Sequence, residues 1–504
     1  MRPARRVAVV GAGPAGLAAA VAAARAGAEV TLLEQGPALG GQYWRHLPDA
    51  RPSEDEARLH HAWGRFEGLR AAVTTSSRIE LRLETSVWAV APREGAAPAL
   101  EIVAGEADGA GRARERLEPD AVVIATGAHD RTLPFPGWTL PGVVTGGAAQ
   151  AMAKGERIAI GDRVVVAGAG PFLLPVAASV AEAGGRILEV LEASRAPRLA
   201  AGWLPRPWQL AGAPGKVAEL AGYVAGHVRG RIPYRTGEAV IAARGEGRVE
   251  SVVVARVDER WTPIPGTERE IACDALCISH GFTPRLEVAI AAGCELDADR
   301  FAVVDDGQAT SVPGVYAAGE LTGIGGVDLA LAEGAIAGRS AAGVAADDPW
   351  NRRDARRRGT FRRFAARIER AHGIPAPSAS RPGWTAWVDD GTIACRCEET
   401  TAGELRAAAA ASGSTSLRSL KLATRAGLGA CQGRICGRGV EALLAAAGAA
   451  PLDGAIPDRR PILAGIRIGE LAAPAAEAPT VPVPAAPGTT TSGDDAGPGK
   501  DPAS

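Results

Sequence analysis

Short apolar runs, each ended by glycines, set the rhythm of this chain. Arg6–Val10 (RVAVV) has the β-branched density of a buried strand. GAGPAG interrupts it, residues 14–26 form an alanine-rich helix that Gly27 ends, and Glu29–Leu33 is a second strand closing on Glu34. The same order returns later. Residues 163–168 read as a strand, Gly168 and Gly170 break it, an apolar helix follows, and residues 186–191 form a strand that closes on Glu192. Between the two units, residues 51–70 look helical and exposed, and residues 79–83 and 87–90 look like strands. A polar hairpin is expected around 105–111, and residues 121–125 (AVVIA) form a buried strand ending in Thr126-Gly127.

Beyond Glu192 the pattern weakens. Residues 197–235 are rich in Pro, Trp and Gly and predict no clear elements. Two strands are expected at 248–257 and 270–279. Residues 310–338 read as strand, acidic turn, glycines and helix. Residues 347–370 are arginine-rich and helical, with the pattern of a solvated connector.

The glycine spacings carry chemistry. Gly11, Gly13 and Gly16 stand in G-x-G-x-x-G order between strand and helix. The first allows the tight turn, the second lets backbone approach a pyrophosphate, and the third lets helix pack on strand. The helix N-terminus offers free N–H groups to phosphate. Glu34 falls where a carboxylate accepts bonds from an adenosine ribose. Pro14, Ala15 and Gln35 flank these contacts, and Gly41 and Gln42 belong to a loop that can run along a bound cofactor. In the second unit Leu173 replaces the third glycine, so helix and strand approach less closely. Glu192 favours NAD over NADP there, and an occupied NAD site and a vestigial or adenylate-only pocket both remain open.

Seven cysteines are an odd number, and four form one pattern: Cys395-x-Cys397, then Cys431-x₄-Cys436. Thiolates brought together from two loops suit zinc or an iron–sulfur cluster, in a reducing cytoplasm rather than a disulfide framework. Thr401-x-x-Glu404 is a capping box that starts a helix just after the first pair. Lys421, Arg425, Arg434 and Arg438 supply positive charge near an anionic cluster. Cys273, Cys277 and Cys294 read as small core residues, the first two sharing one strand face. His129, Asp130 and His280 follow strand ends and read as structural.

Composition narrows the classes. A length of 504 residues predicts about three domains. The net charge of −1 gives no footing for nucleic acid, and no run of eighteen apolar residues predicts a membrane span. The basic and apolar start imitates a signal peptide, but the Gly-x-Gly turn and following strand account for it better. Aromatics are only 4% of the chain, so small residues must do much of the packing.

Gly11–Glu34, Thr126-Gly127, Gly168–Glu192 and residues 310–320 occur in the order seen in two-dinucleotide-binding-domain flavoproteins, which residues 5–345 resemble. The resemblance implies an α/β, Rossmann-like fold with FAD in the first unit. It implies that Gly319-Glu320 touches the ribityl chain, with Glu in place of the usual Asp. It also implies that the helix beginning near Val327 aims its N-terminus at the flavin. The cysteine module resembles BFD-like (bacterioferritin-associated ferredoxin-like) [2Fe–2S] domains, which makes Cys395, Cys397, Cys431 and Cys436 the cluster ligands. Together with residues 125–150, 319–334 and 425–436, the chain resembles the FAD-containing α subunits of bacterial amine and imino-acid dehydrogenases.

That resemblance implies a discontinuous FAD domain (1–135 plus 285–345), an NAD-binding-like domain (136–284), a helical connector (346–390), a [2Fe–2S] domain (391–450) and a disordered tail (470–504). It implies a separate flavin-containing β subunit that oxidises the substrate, in some complexes a small ferredoxin-like subunit, and a cytoplasmic chain tied to membranes only through partners. Two other readings stand beside this one. One is a stand-alone NAD(P)H-dependent reductase using the second unit. The other is a zinc-stabilised binding module with a structural flavin.

Overall fold

The computed structural model of the chain describes residues 4–48, 50–51, 53, 56–375, 382–413, 417–448, 460 and 462–472. Two five-stranded parallel sheets form its framework. In the first, the order is Val315–Ala317, Ala121–Ile124, Arg6–Val10, Glu29–Leu33, Ile79–Arg82. In the second, it is Tyr234–Thr236, Arg186–Glu192, Arg163–Gly168, Ala275–Ser279, Val143–Thr145. Parallel strands must be covered on both faces, which is why they read as unbroken Val, Ile, Leu and Ala runs. Each sheet carries an antiparallel three-stranded meander beside it, at residues 85–117 and 238–272. The chain leaves the first unit along Ala128–Asp130 and returns along Phe282–Pro284, and these two strands pair with each other.

Alanine replaces aromatic bulk in the core. In helix Pro14–Arg25 every residue from Ala15 to Ala24 is buried. Helix Gly326–Ala341 lies directly on it, because a Cβ at Gly334 or Gly338 would stand 2.1 Å from the carbonyl oxygens of Ala15 and Ala19. Small side chains thus allow two helices and a sheet to pack as close as backbone contact permits.

Several expectations change. Residues 197–235 are not a loop: they form helices Ala196–Trp203 and Pro214–Arg229 with a short 3₁₀ turn between, then strand Tyr234–Thr236. The segment 51–70 is not simply exposed, since helix Trp63–Thr75 buries Trp63, Phe66 and Val73. Glu238–Arg244 is a strand the pattern did not show, and residues 270–279 split into two strands of different sheets. Cys273 and Cys277 therefore do not share a face. Each is buried in a separate core, because the chain turns between them.

The arginine-rich connector is helix Pro349–His372, and one face of it is bound while Arg352, Arg353, Arg363 and Arg370 stay exposed. Arg358 bonds Gln308 and Asp306, Arg362 bonds Glu333, and Arg367 donates to the carbonyls of Trp203, Pro205 and Arg206 and to Gln209 Oε1. Of the expected tail, residues 470–472 belong to helix Ile468–Ala472. Glu470 there takes a two-pronged bond from Arg112, and residues 473–504 lie outside the described residues.

Candidate functional site

The first nucleotide turn is drawn tight by glycines on which a side chain would strike neighbouring backbone. A Cβ on Gly16 would lie 1.7 Å from the Gly11 carbonyl oxygen, and one on Gly11 would lie 2.5 Å from that of Ala125. Gly41 presses the following loop onto Gly13, where a Cβ would come within 2.9 Å of the Gly13 Cα. Helix Pro14–Arg25 has no side-chain cap at Gly13, so its first-turn N–H groups stay available to phosphate. Glu34 stays half-buried at the strand end. Its carboxylate accepts from Ala12 N (2.8 Å) and Gly36 N (2.9 Å), with the Gln35 side chain exposed beside it. Gln42 is exposed and accepts from Arg45. This bare, donor-rich turn fits the diphosphate of FAD.

The far end of the cofactor groove is more committed than the motif implies. Thr126 spends its hydroxyl on the Arg285 carbonyl (2.7 Å), fastening the outgoing chain to the returning one beside Gly127. Gly319 N donates to Glu333, a fully buried carboxylate also held by Thr322 and Arg362. Glu320 accepts from Gly326 N at 2.8 Å. Its carboxylate therefore caps the helix that carries buried Val327, a local use that competes with the ribityl contact. Burial pushes the Glu320 carboxyl up to about 7, and the N–H groups of Gly326 and Gly325 restrain the rise. Tyr43, raised well above the ordinary phenol range by burial first and then by Glu219, is a neighbour that no motif signalled.

The second unit keeps its turn but not its opening. Gly168 packs against Ser279, where a Cβ would meet the carbonyl oxygen at 1.7 Å, and Leu173 is fully buried at the helix start. Glu192 has no exposed surface. Its carboxylate accepts from Gly170 N (2.9 Å), Ser194 N (2.9 Å) and the Tyr234 hydroxyl (3.4 Å), and His372 Nδ1 lies 3.0 Å away. The Trp203 indole N–H donates to His372 Nε2 at 3.1 Å. The end of the connector helix thus sits against the carboxylate that a ribose would need. Only the packing of residue 372 on residue 192 reveals this, and local sequence carries no sign of it.

The four cysteines converge as a chain of contacts. Cys395 and Cys436 sulfurs are 3.6 Å apart, Cys431 bonds Cys436, and Cys397 bonds Cys431. Cys395 also accepts from Gly427 N at 3.4 Å. The Cys436 thiol, then the N–H groups of Gly427, Glu398 and Cys397, draw Cys395 down to about 6, and Cys431 is lowered too. Cys436, whose thiol donates to both, is raised well above the ordinary thiol range, and burial raises Cys397, so two of the four lean toward thiolate and two toward thiol. Among the described residues no three candidate ligands stand at single-ion distance. The capping box at Thr401 and Glu404 forms as expected. Two of the basic neighbours are engaged elsewhere, Arg425 with Glu398 and Arg434 with Glu287.

This module shares one buried core with the second unit, Cys395, Cys436 and Leu443 lying in it with Val165, Val252 and Trp261, and its cysteine loop is also fastened to the first unit. His129 Nε2 lies 3.0 Å from the Arg434 carbonyl oxygen, and Thr132 donates to that of Ile435 at 3.3 Å. Both carbonyls belong to the loop that ends in Cys436, and both gripping residues follow the Thr126-Gly127 turn. His280 is structural in a different way: it is buried between Trp261 and Trp387, and burial drives its pKa down to about 3.

Comparison with known proteins agrees with this architecture. Residues 5–337 match the family model "Pyridine nucleotide-disulphide oxidoreductase", and residues 393–446 match "BFD-like [2Fe-2S] binding domain". The chain is 33% identical to an opine oxidase subunit of Agrobacterium tumefaciens (strain Ach5), over 87% of this chain and 85% of that one. It is 32% identical to hydrogen cyanide synthase subunit HcnB of Pseudomonas aeruginosa, over 86% of this chain and 90% of that one. The alpha subunit of sarcosine oxidase from Corynebacterium sp. (strain P-1) is 28% identical over 75% of this chain but only 35% of its own length. In solved structures, L-proline dehydrogenase from P. horikoshii shares the fold, with a TM-score of 0.62, 20% identity, and coverage of 94% of this chain and 81% of that one. The cofactors that the two matched families bring to this chain are FAD and a [2Fe–2S] cluster. The chain is an FAD-dependent oxidoreductase that belongs to the pyridine nucleotide-disulphide oxidoreductase family and carries a C-terminal BFD-like [2Fe–2S] domain.

Proposed function

We propose that the chain is the electron-transfer subunit of an amine or amino-acid dehydrogenase of opine, proline, hydroxyproline or glycine type. The observation that carries this reading is the seating of the cysteine loop on the flavin unit through His129 and Thr132. FAD accepts electrons in pairs and a [2Fe–2S] cluster passes them singly, so one chain holding both converts a two-electron input into one-electron output. Gly11, Gly13, Gly16 and the uncapped helix hold the diphosphate. Glu34 orients the ribose, and Gly319 with the helix at Gly326 bounds the flavin end. Cys395, Cys397, Cys431 and Cys436 hold the cluster. No paired carboxylates or nucleophile–base pair belong to this scheme, and substrate oxidation falls to a partner flavoprotein, joined in some complexes by a small ferredoxin-like chain. Relatives named as subunits support that assignment.

The burial of Glu192 under His372 disfavours a stand-alone NAD(P)H reductase, because the ribose-binding carboxylate is already used. An anaerobic absorbance titration with NADH tests the choice. Flavin and cluster bands should stay unbleached by NADH and bleach with dithionite. Stoichiometric bleaching by NADH would overturn the subunit reading in favour of a reductase.

A further inference from the structure

Helix Pro214–Arg229 is inside out. The residues it turns inward are polar. Lys216 pairs with Glu219 (2.9 Å) and Asp328 (3.7 Å), Glu219 also pairs with His61 (3.7 Å), and His227 is buried with Nδ1 3.0 Å from the Tyr223 carbonyl oxygen. The residues it turns outward are apolar. Val217, Leu220, Val224 and Val228 recur at helical spacing, and they are 46%, 41%, 48% and 73% exposed. In a lone soluble chain this helix would face the other way. Gly222 and Gly226, four apart in the same helix, have nothing within 4 Å of a built Cβ. Two helix-weakening residues thus answer no packing need among the described residues of this chain. Leu204 and Trp208, just before the helix, are 69% and 71% exposed.

The rim of this face is basic. Residues 196–235 hold six Lys and Arg, of which Lys216 is turned inward and Arg235 pairs with Glu189, against one acid, Glu219, also turned inward. Arg206, Arg229 and Arg231 make no ion pair among the described residues. Arg206 also lines a cavity of about 400 Å³ with Arg363, Arg367 and Arg370, and no carboxylate lines it. The helix lies close to the flavin unit, since Glu219 and Tyr223 on it act on Tyr43, and Lys216 reaches Asp328 in the first turn of helix Gly326–Ala341.

We propose that this face is the docking surface for the substrate-oxidising partner subunit, which meets it with an apolar patch bordered by Asp and Glu. This rests on the electron-transfer reading above. Charge complementarity selects the occupant: a second copy of the chain would set arginine against arginine. The helix surface itself is low in relief, with Ala218, Ala221 and Ala225 between the valines. Such a surface suits close packing of protein on protein; exposed Leu204, Trp208 and Leu220 with basic neighbours are also residue types of an interfacial helix, and a vesicle-binding measurement separates the two.

The test uses the chain tagged at its own gene and isolated with whatever it binds in the cell. Expected is an equimolar second flavoprotein, with amide exchange of residues 214–229 at least tenfold slower in the complex than in the chain produced alone. The double variant Val224→Asp/Val228→Asp should keep flavin and cluster absorbance and lose the partner by tenfold or more. Ile158→Asp, an exposed site outside this helix, should retain it. If the double variant loses absorbance, the exchange measurement on the unaltered chain still decides. An intact complex with unchanged exchange at 214–229 overturns the surface but leaves the subunit reading standing. No second flavoprotein at all overturns the subunit reading itself. Binding of the lone chain to phosphatidylglycerol vesicles, or dimerisation, that is abolished by the double variant assigns the face to lipid or to a second copy and overturns the proposal.

Discussion

Glu320 shows how a residue expected at the ribityl chain is put to a local use: its carboxylate turns back onto Gly326 N. Its carboxyl is raised from 4.5 to about 7 in the folded chain. A raised acid binds its proton more tightly when folded, so stability falls as pH rises from about 4.5 to 7 and then levels. Glu320→Gln keeps an acceptor for Gly326 and removes that dependence. Its thermal midpoint should match the parent at pH 4.5 and exceed it at pH 8, by an amount worth up to about 3 kcal/mol. Equal midpoints at both pH values would show that the carboxyl is not raised. The glycines are simpler residues to read. Gly16 was legible because no side chain fits against the nearby Gly11 carbonyl within the same turn, whereas Gly11 is held bare by the carbonyl of Ala125, on a distant strand.

At the scale of elements, helices with local signals were legible and helices without them were not. Thr401 and Glu404 announce their helix because both partners of the capping box are three residues apart. Helix Pro214–Arg229 was hidden by its Gly and Pro content and by an apolar face that points away from its own core. The connector helix was visible as a helix but not as a strut. Arg358, Arg362 and Arg367 look solvated in sequence, and their partners lie 29 to 164 residues away. Arg367 is the strongest case, a buried guanidinium that ends helix Ala196–Trp203 by taking up carbonyls of Trp203, Pro205 and Arg206. Arg367→Met should leave those acceptors unpaired and cost about 3 kcal/mol in denaturant unfolding of the second unit. A change under about 0.5 kcal/mol would mean that water replaces the guanidinium without loss.

For the whole molecule, the proposed electron-transfer role depends on how the cysteine module sits against the flavin unit. His129 and Thr132 hold the loop of Cys436 by its backbone, and the Arg434 side chain adds bonds to Glu287 and the Leu463 carbonyl. His129→Leu should leave flavin and cluster content intact and leave the rate of flavin reduction unchanged. Stopped-flow absorbance should then show cluster reduction lagging the flavin by tenfold or more. Simultaneous bleaching in the variant would remove His129 from any positioning role.

Two nucleotide-type units, four clustered thiols and a core built of small residues are written in the chain itself. Each nucleotide turn and each cysteine pair lies in a spacing shorter than a helix, where covalent geometry and periodicity leave few alternatives, and residues 398–430 separate the two pairs. Long-range packing settles the rest: that Glu192 is covered, that Glu320 caps a helix, and that one helix shows valines to the outside. These depend on which distant surfaces meet. The His372 ring reaches Glu192 across 180 residues of sequence, and no local pattern fixes which of many buried or exposed partners a polar side chain will find once the chain is closed.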